Sequence, residues 1–332
     1  MDKFISVVIP NYNGSKTIGQ CLKAVLASKY DCFEVIVVDD ASSDSSVDII
    51  SKFPCRLIRL EEHAGASKAR NTGAEESSGE IIFFIDADCI VSEDTLSLVH
   101  KAVTAQKDTV IGGSYTPLPY DSNFFSVFQS VFINYFELKR KEPDYIATHS
   151  MAIEKSIFEK NGGFSEKFLP IIEDVEFSHR LRRSGYKLLM APDILVRHIF
   201  NFTLRKSLRN AFRKSRYWVM YSLGNRDIFK DSGTASQELK INVLSYSLIM
   251  LSPLLYSSFT NRIFLILPLI TACFNLYINK NLLRAFYRAK GAFFAIPASL
   301  YYTIIYPLAV GAGSFAGMIQ YYRNPGQGIN SE

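Results

Sequence analysis

Apolar and polar positions alternate in blocks along the first quarter of the chain. "FISVVIP" (4–10) is a β-branched run closed by Pro10, and "NYNGS" (11–15) carries turn chemistry. Residues 16–28 set Ile18, Leu22, Val25 and Leu26 at helical spacing. "FEVIVVDDAS" (33–42) predicts a second buried strand ending at Asp39 and Asp40, and residues 43–53 open with helix-capping side chains. "CRLIRL" (55–60) predicts a weaker third strand. A small-residue helix over 65–79 leads into a fourth strand, "EIIFFIDADC". Strands that are apolar throughout imply a parallel sheet covered on both faces. Their alternation with helices predicts a doubly wound α/β fold.

The pattern then loosens. Residues 110–119 predict a strand running out into a loop, and 123–140 predict a helix. A short strand and a helix stopped by Gly162-Gly163 follow within 146–164. Residues 171–198 predict a helix and then two short strands parted by "APD". Beyond residue 240 the chain is far greasier. Three runs lack charge and are long enough, or nearly so, to cross a bilayer: 241–259, 263–278 and 292–319. The last contains Pro297 and Pro307, so it predicts one kinked span or a re-entrant pair. The expected organisation is a domain over 1–225 and a membrane region over 240–322.

With 48% hydrophobic and 21% charged residues, the chain is neither disordered nor of low complexity. Its net charge of +5 is mild, but Arg205, Lys206, Arg209, Arg213, Lys214 and Arg216 crowd one segment. There, residues 203–223 predict an amphipathic helix lying on an anionic leaflet. The connection 279–291 carries Lys280, Arg284, Arg288 and Lys290, which places it, and with it the first domain, on the cytoplasmic side. "MDKFISVVIP" does not have the form of a signal peptide. The five cysteines show no metal-like spacing and suit a reducing compartment.

Chemistry concentrates where the strands end. In doubly wound sheets ligands bind beyond the carboxyl ends of the strands. Asn11 and Asn13 follow the first strand, Asp39 and Asp40 the second, Asp86 and Asp88 the fourth. Two carboxylates one residue apart at such a rim can share a hard divalent cation with diphosphate oxygens. Asp39 or Asp40 can accept from a nucleobase or ribose, or cap the helix after it. Arg70 can meet a phosphate or pair with a rim aspartate. Glu173 and Asp174 open a helix, where acidic side chains suit the dipole and also suit a general base. "NYNGS" is not a dinucleotide-binding glycine loop, which argues against a nicotinamide oxidoreductase.

Taken in order, "VVIPNYN", "VIVVDDASSD", "GASKARNTG", "FIDADC", "THSMAIEKSIFEKNGGF" and "EDVEFSHRLRRSGYK" resemble the family 2 glycosyltransferases of the GT-A fold, over roughly residues 4–225. The resemblance implies a nucleotide-binding half (1–115), an acceptor half (116–202) and the interfacial helix (203–223). It implies that Pro10, Tyr12, Asp39 and Asp40 line the nucleotide pocket and that Arg70 and Asn71 lie near ribose and diphosphate. Asp86 and Asp88, with His198, are the implied ligands of Mg²⁺ or Mn²⁺. His149 and Ser150 fall on the acceptor- and sugar-facing strand, and Asp174 is the implied base with Glu173 beside it. Arg216 and Trp218 echo only part of a processive synthase motif, whose leading Gln is missing. The implied reaction is an inverting transfer from a nucleotide-diphosphate sugar, UDP-linked by default, to a lipid or lipid-linked hydroxyl at a membrane. A polyprenyl-phosphate acceptor is the enzymatic alternative, and a non-catalytic or phospho-acceptor membrane regulator the alternative of another class. No nucleic-acid partner is implied.

Overall fold

A computed structural model describes residues 2–166 and 171–323. The chain divides into two compact units, one of residues 1–122 with 137–201, the other of 123–136 with 202–332.

The first unit is an α/β layer structure. Its elements begin with β1 (Ile5–Asn11), α1 (Ile18–Leu26), β2 (Phe33–Asp39), α2 (Ser46–Ile50), β3 (Arg56–Arg59), α3 (Ala66–Glu75) and β4 (Ile81–Ile85). β5 (Cys89–Ile90), α4 (Thr95–Thr104) and β6 (Thr109–Tyr115) follow. After α5 (Phe124–Glu137), which belongs to the second unit, come β7 (Ser150–Glu154), α6 (Lys155–Lys160), α7 (Glu173–Arg183) and β8 (Lys187–His198). The described strands form one sheet in the order β3-β2-β1-β4-β7-β6-β8-β5.

β1 to β4 pair in parallel, as their unbroken apolar runs require. Ile5, Val7, Val8 and Ile9 of β1 and Ile81 to Ile85 of β4 are fully buried. Gly73 lets α3 close onto this sheet, because a Cβ there would strike Val8. β7 is inserted antiparallel between β4 and β6, so the sheet is mixed rather than wholly parallel.

β8 differs from the two short strands expected. It is one strand pairing parallel with β6, and its register shifts between Gly112↔Met190 and Ser114↔Leu195. The residues between, Ala191-Pro192-Asp193-Ile194, form a bulge instead of a break. Proline lacks a ladder donor, and a bulge is where a strand tolerates one. The strand therefore carries on to His198.

The second unit is helical. Its long elements are α8 (Leu204–Asn225), α9 (Gln237–Phe259), α10 (Ile263–Ile278), α11 (Lys280–Lys290), α12 (Ala292–Leu300) and α13 (Tyr306–Arg323), with a π turn at Tyr301–Ile305 joining the last two. α9 and the continuous helix 292–323 are each long and apolar enough to cross a membrane. α10 is a 16-residue helix that bends by 60° into α11, where the sequence suggested only a connection. α8 buries Ser207 and Ala211 in its first half and Val219, Met220, Tyr221 and Ser222 in its second, while Leu204 stays exposed, so only the first half of its buried stripe is smaller and more polar than the pattern predicts. That stripe suits packing along α13. Gly313 and Gly317 sit where any Cβ would strike the carbonyls of Phe212 and Arg216. Small residues four apart are the usual device for bringing apolar helices this close.

A closed ring of hydrogen bonds ties the other helices. Asn242 Nδ2 donates to the Tyr302 carbonyl (2.7 Å), and Asn275 Nδ2 donates to Asn242 Oδ1 (2.8 Å). Asn279 Nδ2 donates to Asn275 Oδ1 (2.8 Å), and the Tyr302 hydroxyl donates to Asn279 Oδ1 (3.0 Å). All four side chains are buried. A π turn displaces the regular backbone ladder, and here Asn242 supplies a donor to a carbonyl within it.

Candidate functional site

The site is built at the carboxyl ends of β1, β2, β3 and β4 and at the far end of β8. Asp39 ends β2 fully buried. Its Oδ1 accepts from Asn11 Nδ2 (2.8 Å) and Ser42 Oγ (2.6 Å), and its Oδ2 from Ser42 N (3.0 Å). Asp40 is nearly as buried and accepts from the backbone of Ala64 (2.7 Å) and Gly65 (2.9 Å), at the start of α3. These carboxylates tie the ends of β1 and β2 to Ser42 and to the start of α3. Asp44 accepts from Ser15 N (3.0 Å) and from Ser46, fixing the loop after β1 to the start of α2.

The groups left facing outward are aromatic. Tyr12 is half exposed and stacks on His63, with ring centroids 4.0 Å apart. His63 Nδ1 lies 2.8 Å from Asp40 Oδ2, which orients the imidazole. His63 carries no motif of its own in the sequence, and only its contact with Tyr12 and Asp40 reveals it. Pro10 lies in β1 opposite Val38, one residue before Asn11.

Arg70 is the centre of the charged part. Its guanidinium is 5% exposed and donates from Nη2 to Asp86 Oδ1 and from Nη1 to Glu173 Oε1, both at 2.8 Å. Of the two roles open to it, pairing with a rim aspartate is the one the structure displays. Burial works against an ionised Asp86, but Arg70 together with the charges of His149 and His198 outweighs it and holds that carboxyl below its ordinary range. Asn71, the next residue, turns the other way. Its amide exchanges hydrogen bonds with the backbone of Phe164 (2.8 and 2.9 Å) and donates to Glu166 (2.9 Å).

Asp88 lies two residues on, in a different setting. Burial, and then the neighbouring charge of Asp86, push its carboxyl up to about 7. β5 pairs Cys89 directly with His198 of β8, and Ile199 N donates to the Asp88 carbonyl (2.9 Å). His198 Nε2 thereby lies 3.3 Å from Asp88 Oδ1. Asp88, Cys89 and His198 offer ligand atoms all within 4.8 Å of one another. The sequence grouped Asp86 with Asp88 and His198; in the structure Cys89 is the third neighbour and Asp86 is engaged by Arg70. The donor set fits a hard divalent cation through Asp88 and His198, with the remaining positions open to phosphate oxygens and water. Cys89 adds no hard ligand. Burial raises the pKa of its thiol well above the usual range, and sulfur is a soft donor that such an ion does not favour.

His149 and Ser150 sit at the start of β7. Ser150 pairs with Ile85, which brings His149 close enough for its charge to act on Asp86 and Asp88. The His149 ring stacks on Tyr115 (4.0 Å), and its Nε2 lies 3.3 Å from buried Glu137, which also accepts from Ser114 (2.7 Å). Tyr115 meets His198 edge-on at 4.8 Å. Tyr115 and Glu137 thus brace two site histidines, although neither stands in a recognisable motif.

α7 delivers Glu173 and Asp174 from its first turn. The residue before them, Ile172, has φ 77°, a left-handed conformation that is costly for a β-branched side chain. This kink starts the helix at the point where Glu173 reaches Arg70. Asp174 accepts from Val175 N (2.9 Å) and its charge acts on Arg70. Arg216 and Trp218 belong to α8 in the second unit, where Arg216 Nε donates to Gln320 Oε1 of α13 (2.7 Å).

Residues 6–162 match the family described as glycosyl transferase family 2. Glycosyltransferase AglE of Haloferax volcanii is 27% identical over 238 residues, covering 68% of this chain and 78% of that protein. Over residues 6–162, just under half of its length, the chain is similar to the family 2 glycosyltransferases. Glycosyltransferase GlyG of Streptococcus pneumoniae serotype 4 is 35% identical over 131 residues, 38% of this chain and 44% of GlyG, so the match spans less than half of that relative. Among solved structures, the mannosyltransferase PcManGT from Pyrobaculum calidifontis, in complex with GDP-Man and Mn²⁺, superposes with a TM-score of 0.58 at 18% identity, over 97% of this chain and 88% of that one. GalNAc-T7 with UDP, GalNAc and Mn²⁺ gives 0.50 at 18% identity, over 66% and 50%. Both likenesses are of fold. The chain therefore carries an α/β domain of GT-A-type fold followed by apolar helices long enough to cross a membrane.

Proposed function

We propose that the enzyme moves a sugar, with inversion, from a nucleotide-diphosphate sugar to a hydroxyl of a lipid or lipid-linked glycan at the membrane surface. The observation that carries this is Arg70 held between Asp86 and Glu173. It links the strand end bearing Asp88 to the helix bearing Asp174, so the leaving-group side and the proton-accepting side form one charged assembly.

The nucleotide lies along the ends of β1 and β2. Tyr12, backed by His63, offers the base a flat face, and Asp39 and Asp40 hold the walls of that pocket through Asn11, Ser42 and the start of α3. UDP is the first candidate nucleotide. Asp88 and His198 would hold Mg²⁺ or Mn²⁺, which when bound neutralises charge gathering on the departing diphosphate. Arg70 remains on the same side and opposes the excess of carboxylates. His149 and Ser150 face the transferred sugar or the acceptor. Asp174 takes the proton of the attacking hydroxyl, and Glu173, tied to Arg70, keeps the first turn of α7 in place.

The cationic residues of 279–291 favour a cytoplasmic catalytic domain and a multi-pass anchor in the cell membrane. The test is thermal stabilisation of the full chain by a panel of nucleoside diphosphates with and without Mn²⁺. UDP with Mn²⁺ is expected to give the largest shift. No shift from any nucleotide would overturn the donor assignment. A product on lipid extract that is labile to mild acid would redirect the acceptor to a polyprenyl phosphate.

A further inference from the structure

α11 has a composition that no bilayer interior accepts. Lys280, Arg284, Arg288 and Lys290 lie within its eleven residues, and all four are exposed. No aspartate or glutamate occurs in the sequence between residues 239 and 331, so every charge in this stretch of chain is positive. Charges at this density are strongly disfavoured in hydrocarbon. Yet the helix is flanked by apolar segments of membrane character, and the 60° bend after α10 turns it away from that helix's direction.

Its two faces differ sharply. Leu282 and Phe286 are buried, and the Phe286 ring packs on Phe128 (5.4 Å) and Phe294 (6.0 Å). The opposite face presents Arg284 and Arg288 one turn apart, with Tyr287 60% exposed beside them. Lys280 Nζ lies 4.1 Å from the Tyr277 ring centroid at the helix start. Gly291 takes φ 72° to end the helix, and fully exposed Phe293 follows. Aromatics alternating with cations are the pattern of a bilayer's headgroup layer.

We propose that α11 lies in the plane of the membrane and binds anionic phospholipid headgroups, with Arg284 and Arg288 as the phosphate-holding pair. A guanidinium donates two parallel hydrogen bonds to one phosphate, which a lysine cannot reproduce. The buried Leu282–Phe286 face fixes the helix, so the arginines are presented without further ordering. Charge complementarity selects anionic over zwitterionic lipid. This inference rests on the anchor and not on the donor chemistry proposed above.

The experiment is native mass spectrometry of the detergent-purified full chain with added phosphatidylglycerol or phosphatidylcholine. The wild type should retain phosphatidylglycerol preferentially. R284Q/R288Q should lose that preference, by roughly fivefold for each cation removed, while the control K101Q/K107Q on the α/β domain should keep it. The charge-retaining R284K/R288K should keep part of it, which separates a charge effect from a folding defect. Equal retention of the two lipids by the wild type, or an undiminished preference in R284Q/R288Q, would overturn the proposal. So would displacement of phosphatidylglycerol by millimolar inorganic phosphate, which would indicate a free-phosphate subsite instead.

Discussion

Arg70 holds Asp86 at 2.8 Å and spends its other terminal nitrogen on Glu173 at the same distance. One buried cation thus fixes two carboxylates that are 87 residues apart in sequence, as 173 minus 86. Removing it leaves both without their shared partner in a site already crowded with negative charge. Arg70→Ala should destabilise the protein by about 3 kcal/mol, the lower end for breaking a buried pair, since Asp86 keeps some contact with solvent. Arg70→Lys has no fork to serve both partners and should recover only part of the loss. Thermal unfolding in detergent checks both variants; a melting temperature unchanged in Arg70→Ala would contradict the bridging role.

Asp88 makes cation binding depend on pH. With its carboxyl pushed up to about 7, a proton and a cation compete for the same oxygens. Binding of Mn²⁺ should therefore strengthen as pH rises from 6 to 8 and should release a proton near neutrality. The sign for stability is the reverse in metal-free protein. A raised carboxyl pKa favours the folded state at low pH, and that contribution is lost as pH rises through about 7. Isothermal titration in buffers of different ionisation enthalpy reads the proton release. Asp88→Asn should abolish both the binding and its pH dependence.

Asp174→Asn keeps the shape of the first turn of α7 but removes the proton acceptor. Transfer to a hydroxyl should fall by about 10²–10⁴, with nucleotide affinity essentially unchanged because Arg70 and Glu173 remain. Steady-state kinetics and nucleotide titration on the same preparation decide this. Unimpaired turnover would remove Asp174 from the base role.

The strand ends were readable because apolar runs stop abruptly at Asn11, Asp39 and Asp86, and a buried strand reports its own termination. The pairing partners of those strands were not. β7 is short and apolar like its neighbours, and nothing in "SMAIE" distinguishes an antiparallel insertion from a parallel strand. "APD" looks like a break because proline usually is one, and only the partner β6 shows that a bulge absorbs it. His63, Tyr115 and Glu137 were missed for a common reason. Each acts through a contact with a residue distant in sequence, so its own neighbours carry no signal. Arg70 was legible as an ambiguity, and the fold resolved it by bringing Asp86 and Glu173 to either side. In the anchor, hydropathy identified apolar runs but not the Asn242–Asn275–Asn279–Tyr302 ring, because isolated asparagines do not interrupt a hydrophobic average.

That ring gives a prediction of its own. Asn242→Leu removes the donor to the Tyr302 carbonyl and the acceptor for Asn275. Hydrogen bonds between membrane helices contribute about 0.6 kcal/mol on average, so losing two should cost about 1–2 kcal/mol. A lowered unfolding midpoint in detergent, with nucleotide binding by the α/β domain intact, is the expected result.

The central claim is a metal-dependent transfer from a nucleotide sugar. The measurement that tests it most directly is release of nucleoside diphosphate from a set of UDP- and GDP-sugars by the purified full chain with membrane lipid extract, with Mn²⁺ or with chelator. At least one donor should be turned over, and that turnover should vanish with chelator and in Asp88→Asn. Folded wild-type protein that turns over none of them, or turnover that survives both chelator and Asp88→Asn, would contradict the account.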